Sequence, residues 1–489
     1  MAATLVLLPL THLVLRATEG GWDAVEVTLW RPRTLDLVGR TIGLALVVTV
    51  ACLVIGVTAA WLVVRTDLPG RRLWQVVLGL PLAVPSYVAA FAWLGWRPEL
   101  AGRTGATVVL VSISYPYVYL PVLAALRRAD PTVEEVARSL GRGPVAVFLT
   151  VTLRQVRVAA AGGSLLVGLY VLSDFGAVSI MRYEVLTTVI YRSYRASFDR
   201  TPAAVLGCVL VVITLLVVGA ESRVRRGERQ DRVGGGAERP AAPVRLGRWT
   251  APALAGLVAV IAAALGVPAQ RIVYWVQRGT SQSDHADVWD AAGSSLTAAS
   301  VGALATVLVA LPVGILSARY AGRLSRGVTA AAYAGHSLPG IVVALSMVFF
   351  GIRVLPSLYQ RLPVLILAYV VLFLSLAIGA VHASIAQVPP ALDDVARTLG
   401  RTQLQAWREI TLRLATPGIG AGAALVFLVV MKELPATLLL RPTGMETLAV
   451  GMWRQTSSAQ YAAAAPYAAA IVVLSSIPTA ILTLPGRRR

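Results

Sequence analysis

Residues 134–142 read EEVARSLGR and residues 393–401 read DDVARTLGR. An acidic pair, an alanine, an arginine and a glycine keep register in both, 259 positions apart. Each copy is a charged island between apolar runs of about 20 residues, the length that crosses a bilayer core as helix. Proline stands shortly before each (Pro131, Pro390) and suits the first turn of a helix, where the acids then meet its positive end. Gly141 and Gly400 close that short helix, and a second one follows in "VAVFLTVTLRQVRVAA" and "LQAWREITLRLA". A short amphipathic helix, a glycine turn and a further helix form an element that fits a groove in a partner. Two copies related by a twofold axis suit a dimeric partner with two equivalent grooves.

Composition places this element in a membrane protein. Of 489 residues, 57% are hydrophobic and 14% charged, against about 25% charged in soluble domains. Apolar windows fall at roughly 42–64, 74–94, 106–126, 158–178, 203–220, 251–269, 297–318, 328–350, 363–385, 417–438 and 464–484. The N-terminal "ATLVLLPLTHLVLRA" reads as a shorter first helix, because a signal peptide would carry a basic start and a small-residue cleavage site. The expectation is an all-α polytopic membrane protein with about 12 transmembrane helices.

The net charge of +20 is carried by 43 arginines and one lysine, Lys432. With both termini inside, 27 arginines fall in cytoplasmic segments and 15 on the other side. That asymmetry obeys the topology rule and accounts for the charge without a nucleic-acid partner. Both nine-residue copies then lie at the cytoplasmic face.

The correspondence continues beyond these copies. Thr152-Leu153-Arg154 matches Thr411-Leu412-Arg413, and Arg182 matches Arg441, at the same offset of 259. Upstream the offset is 254, pairing Arg65 with Arg319 and Pro85 with Pro339. Two six-helix halves repeated in parallel imply a pseudo-twofold axis along the membrane normal, as in transporters. The expected domains are 1–221 and 249–489, with repeated loops at about 127–157 and 386–416. Residues 222–248, rich in Gly, Pro and charge, read as a basic cytoplasmic linker.

Some chemistry is not written here. No G-x-x-x-x-G-K-[ST] occurs, so ATP hydrolysis would belong to another subunit. Four scattered histidines and two cysteines inside apolar runs give no metal-ligand spacing and no disulfide framework.

The loop residues resemble the conserved cytoplasmic loop of permease subunits of binding-protein-dependent ABC importers. There, Glu-Ala-Ala, three residues, Gly, nine residues, Ile, one residue and Leu-Pro follow in order. Here the first copy supplies Glu135, Val136, Ala137, Gly141, Val151 and Leu153; the second supplies Asp394, Val395, Ala396, Gly400, Ile410 and Leu412. The departures are Val for the first Ala, Asp394 for Glu, and Arg154 and Arg413 in place of Pro. "LSDFGAVSIMRYEVLTTVIYRSY" and "KELPATLLLRPTGMETLAVGMWR" are similar to the fused two-domain permeases of ferric iron importers. The resemblance implies two type I importer domains of the maltose and methionine permease kind. Glu135, Ala137, Gly141, Asp394, Ala396 and Gly400 would couple to two copies of a cytoplasmic ATPase, which binds the ATP and magnesium. An extracytoplasmic binding protein would deliver the cargo. Permeases for thiamine or other small solutes, and secondary transporters with parallel halves, are the alternatives.

A span in each half ends in acid, Asp174 in "LSDFG" and Glu433 in "KELPA", at the 259 offset. Intramembrane charge usually faces a pathway or a partner, and hard cations prefer oxygen ligands. These two carboxylates are the candidates for the substrate path, with Lys432 beside Glu433 favouring a structural reading instead. Tyr115, Tyr117 and Tyr119 read as packing residues. Tyr183, Tyr191, Arg192, Tyr194 and Arg195 in one half, and Arg441, Trp453 and Arg454 in the other, read as an outer docking surface or an interfacial belt.

Overall fold

A computed structural model describes residues 2–196, 200–226, 243–279, 285–320, 322, 327 and 338–483. Linker positions 227–242, the start of the 328–350 window and the terminal arginines lie outside the described residues. Among the described residues all regular structure is helical, apart from one isolated bridge between Thr66 and Val244.

Among the described residues eight helices are long and apolar enough to cross a membrane: Pro32–Arg65, Arg103–Arg128, Pro144–Ser173, Thr201–Ala220, Gly247–Arg278, Ala286–Arg319, Leu362–Ala386 and Gln403–Met431. Gly340–Val354 and Tyr461–Ser476 are shorter apolar helices, and Ala2–Thr18 is the N-terminal one. Each apolar window of the sequence thus contains a helix. The chain is an all-α, multi-pass membrane protein.

Three windows are broken rather than straight. Window 74–94 folds as Arg71–Ala83 and Ser86–Trp96, bent by 91°. Proline removes a backbone donor and blocks the helix there; Pro85, in extended conformation, caps the second piece. Ser86 to Ala92 and Leu94 are buried, so the break is sheltered by protein. Windows 158–178 and 417–438 end early, at Ser173 and Met431, and resume as the short helices Gly176–Ile180 and Pro435–Leu440.

The contacts divide the chain into two compact units. One comprises Met1–Trp30, Ile190–Val211 and Arg278–Arg489; the other comprises Arg31–Val189 and Val212–Gln277. This is a division by packing, whereas the repeat of 1–221 and 249–489 is a division by alignment. The two divisions assign differently the first helix of each half and the segment Ile190–Val211. In the first unit Ala2–Thr18 lies on Gly340–Val354: His12 meets Phe350 edge-on at 5.4 Å, and Arg353 pairs with Glu19. In the second unit the Trp93 indole donates to the Ala263 carbonyl at 3.3 Å, and the Arg271 guanidinium lies 5.5 Å over Trp96. Trp96 and Phe350 are themselves equivalent at the 254 offset.

Inside a bilayer, close packing takes over from the hydrophobic drive between helices, and small residues let backbones approach. Gly163 and Gly422, equivalent at 259, do this in both units. A methyl at Gly163 would stand 2.6 Å from the Tyr117 carbonyl oxygen, and one at Gly422 would overlap Ala380. Several polar groups in these cores are paired between helices. The hydroxyl of Tyr115 donates to the Leu78 carbonyl at 2.9 Å, and those of Tyr369 and Thr437 are 2.7 Å apart.

Candidate functional site: two loop helices and their ion-pair ties

The first repeated loop opens with helix Thr132–Ser139, which carries Glu134 and Glu135 in its first turn. Three-residue spacing turns Glu134 and Ala137 inward, where both are buried. Val136 and Leu140 point outward, and Leu140 is 76% exposed. Gly141 takes φ +81°, a left-handed conformation that lets the Arg142 amide donate back to the Ala137 carbonyl at 3.2 Å. After Pro144–Val147 the chain makes one π-helical turn, Phe148–Thr152, and continues as Leu153–Ser173.

The second loop repeats this device. Helix Pro390–Thr398 has Asp393 in its first turn and Ala396 buried. Val395 and Leu399 face out, Leu399 being 78% exposed. Gly400 has φ +83°, and the Arg401 amide donates to the Ala396 carbonyl at 3.1 Å. Thr402 and Gln405 form a reciprocal capping box for the next turn. A π turn again follows, Trp407–Thr411, before Leu412–Met431. Such turns are rare and concentrate at functional positions.

An equivalent ion-pair tie holds each loop helix to the end of a long span. In the first, the Arg65 Nε donates to Glu134 Oε1 at 3.2 Å, and Thr152 Oγ1 donates to the same oxygen at 3.0 Å. Arg138 adds a contact to Oε2 at 3.2 Å. The side chains of Arg65 and Glu134 are 4% and 2% exposed. In the second, Arg319 Nη2 lies 3.4 Å from Asp393 Oδ2, and Thr411 Oγ1 donates to Oδ1 at 2.6 Å. Arg319 also donates to the Val388 carbonyl at 3.1 Å, and this pair is 13% and 22% exposed. Arg65 and Arg319 are the last residues of Pro32–Arg65 and of His285–Arg319.

The sequence reading singled out Glu135 and Asp394. The structure places Glu135 half-buried and Asp394 exposed, with Asp394 3.6 Å from Arg397. The acid that each loop turns inward is the preceding one, Glu134 being buried and Asp393 half-buried. Glu134 and Asp393 were missed as tie residues, although Arg65/Arg319, Glu134/Asp393 and Thr152/Thr411 all coincide between the halves. Matched opposite charges in both copies were the available signal.

Asp174 and Glu433 stand at the breaks after the spans. Asp174 Oδ1 accepts from the amides of Ala177 and Val178 at 2.9 and 3.3 Å, and so caps Gly176–Ile180. Glu433 accepts from the amides of Ala436 and Thr437 at 3.0 and 3.1 Å and from Thr437 Oγ1 at 3.2 Å. Each carboxylate thereby neutralises a helix start inside an apolar unit. Each also lies against the start of an equivalent helix, near Ser86 in one unit and Gly340 in the other. Lys432 occupies the C-cap of Leu412–Met431, where positive charge meets the carbonyl end. No group of three or more His, Cys, Asp or Glu able to hold a metal ion occurs among the described residues.

Residues 24–229 and 310–489 match the family described as binding-protein-dependent transport system inner membrane component. The chain is 36% identical to the Fe(3+)-transport system permease protein FbpB 2 of Haemophilus influenzae, over 97% of this chain and 95% of that protein. It is 27% identical to the sulfate transport system permease protein CysW of Escherichia coli, over 44% of this chain and 82% of that protein. For the protein of the same name in Synechocystis the figures are 29%, 36% and 72%. The sulfate relatives thus correspond to a single half, and the Haemophilus protein to both.

Proposed function

Because the chain belongs to the family of inner membrane components of binding-protein-dependent transport systems, we propose that it is the translocating subunit of an ATP-driven importer whose cargo is ferric iron. The iron assignment is supported by the match to the Haemophilus protein over nearly the whole of both chains. The observation that carries the importer mechanism is the duplicated loop helix, each tied by an arginine, an acid and a threonine and each presenting apolar residues to a partner.

On this reading two copies of a cytoplasmic ATPase receive the two loops. Leu140 and Val136, or Leu399 and Val395, fill the groove, and Glu135 and Asp394 stand at its edge. Ala137 and Ala396 give the helix its close inner face. Gly141 and Gly400 turn the chain back into the next span. ATP and magnesium stay on the ATPase, and an extracytoplasmic binding protein supplies iron. Both termini and the loops face the cytoplasm, in keeping with the arginine distribution.

Force enters each half at two points. The loop helix runs through the π turn into Leu153–Ser173 or Leu412–Met431. Its inward acid, Glu134 or Asp393, also grips Arg65 or Arg319 at the end of another span. A displacement of the loop by the ATPase therefore moves two spans together. Such paired docking devices have no use in a secondary transporter, which draws its energy elsewhere.

Uptake of radiolabelled ferric iron by cells with and without the gene tests this reading, with Glu135→Gly and Asp394→Gly as the uncoupled variant. The expected result is loss of uptake on deletion and in the variant, with the chain still assembled in the membrane. Unchanged uptake on deletion, with ATPase still co-purifying, would remove iron as the cargo, and thiamine and sulfate would be assayed in its place.

A further inference from the structure

A cavity of about 400 Å³ lies in the unit that contains the second loop, lined in part by Tyr194, Arg195, Arg200, Tyr359, Arg441 and Thr443. Three arginines line it, and among the described residues no carboxylate does. Like charges brought together without a counter-charge are costly, and an anionic ligand relieves that cost. We propose that this cavity binds a small, multiply charged oxyanion of the phosphate, sulfate or polycarboxylate class.

Two of the guanidiniums, those of Arg200 and Arg441, are held rather than loose. Arg200 lies over the Tyr194 ring at 4.9 Å, a cation–π contact that fixes its plane. The Tyr194 and Tyr359 hydroxyls are hydrogen-bonded to one another. Arg441 Nη1 donates to the Met445 carbonyl across a turn in which Gly444 has φ +82°, leaving the rest of its fork for a ligand. Planar forks of this kind match the paired oxygens of carboxylate and phosphate. The volume falls within the range of small-molecule sites.

The other half lacks this arrangement. At the 259 offset Thr443 corresponds to Glu184, which in its own unit lies 3.6 Å from Arg33. The first half therefore carries a carboxylate at the position that Thr443 holds in the cavity. The cavity is separated from the second loop by the 20 residues of Leu412–Met431, about 30 Å of helix. With the loops cytoplasmic, as in the proposed function, it opens on the outer face, where cargo arrives.

The test uses the full chain alone, in nanodiscs of phosphatidylcholine, with ionic strength fixed by chloride. Inorganic phosphate and citrate are titrated by calorimetry against wild type, Arg441→Gln, Arg195→Gln and the exposed-site control Arg103→Gln. Expected is saturable binding of at least one anion, weakened about tenfold or more by either cavity substitution and unchanged by the control. Thr443→Glu supplies the carboxylate of the other half without removing an arginine, and abolishes binding in a chain of unaltered elution volume. A second set of nanodiscs containing phosphatidylglycerol separates the sources. Loss of phosphate binding there assigns the site to a lipid headgroup, and its persistence assigns it to the free anion. Absence of saturable binding in wild type, or equal binding by all variants, overturns the proposal. Cargo and ATPase are not in this assay, so its failure leaves the importer reading standing, and failed iron uptake leaves anion binding standing.

Discussion

Glu134→Leu is the substitution with the most to say about how a loop is held. It strands the Arg65 guanidinium in a site only 4% exposed. Breaking a buried pair by removing one partner costs about 3–5 kcal/mol. Arg65→Met is milder, because Glu134 keeps Arg138 at 3.2 Å and Thr152 at 3.0 Å, and should cost about 1–3 kcal/mol. Replacing both residues removes the desolvation penalty together with the attraction. The double variant should therefore fall short of the summed single effects by about 2 kcal/mol or more. In the second loop Asp393 and Arg319 are partly solvated, at 22% and 13% exposure, so Asp393→Leu should cost only about 1 kcal/mol. Equilibrium unfolding of the full chain in mixed micelles, followed by detergent titration, measures all four. Additivity of the two single changes within about 0.5 kcal/mol, or an Asp393→Leu cost equal to that of Glu134→Leu, would refute the argument.

Three other expectations concern the same elements. Gly141→Ala and Gly400→Ala meet no neighbouring atom, so their cost is the left-handed backbone alone, about 1 kcal/mol each; a calorimetric melt should show that loss, and the ATPase rate of the assembled complex should fall with it. Leu140→Glu and Leu399→Glu alter exposed side chains, so the chain alone should keep its stability while ATPase affinity drops about tenfold or more; retained affinity in a pull-down would show that these faces do not dock. Asp174→Asn and Glu433→Gln preserve an acceptor for the capped amides, whereas alanine at either position loses about 0.5–2 kcal/mol. Full uptake by the amide pair with destabilised alanine variants would assign both acids to capping, and abolished uptake by a stable amide pair would assign them to the path.

Much of the architecture was legible without coordinates because it rests on chemistry local to the chain. Windows of about 20 apolar residues have one stable form in lipid, and every one contains a helix. The loop register follows from proline, acids and glycine at set spacing, and the helices Thr132–Ser139 and Pro390–Thr398 lie where those residues put them. Sequence also marked the breaks after Asp174 and Glu433 as unusual, since charge inside an apolar run demands a partner. The identity of that partner, the amides of the next short helix, is a property of a folded turn.

The acid each loop turns inward could not be read from the loop itself. Glu134 and Glu135 are neighbours of equal propensity, and a helix turns them only about 100° apart. The choice is made by Arg65, 69 positions away, and in the other half by Arg319, 74 positions away. The packing of each first helix is undetermined for the same reason. His12 is 338 positions from Phe350, and no local spacing encodes their contact. The three arginines of the cavity are scattered from 195 to 441 and become a site only when the fold gathers them. Sequence by itself determined which segments are helices, which lie in lipid and that the unit is used twice, because those depend on neighbours within a turn or two. Tertiary structure alone decided which charges meet, because side chains hundreds of residues apart share no periodicity and come together only through the packing of whole helices.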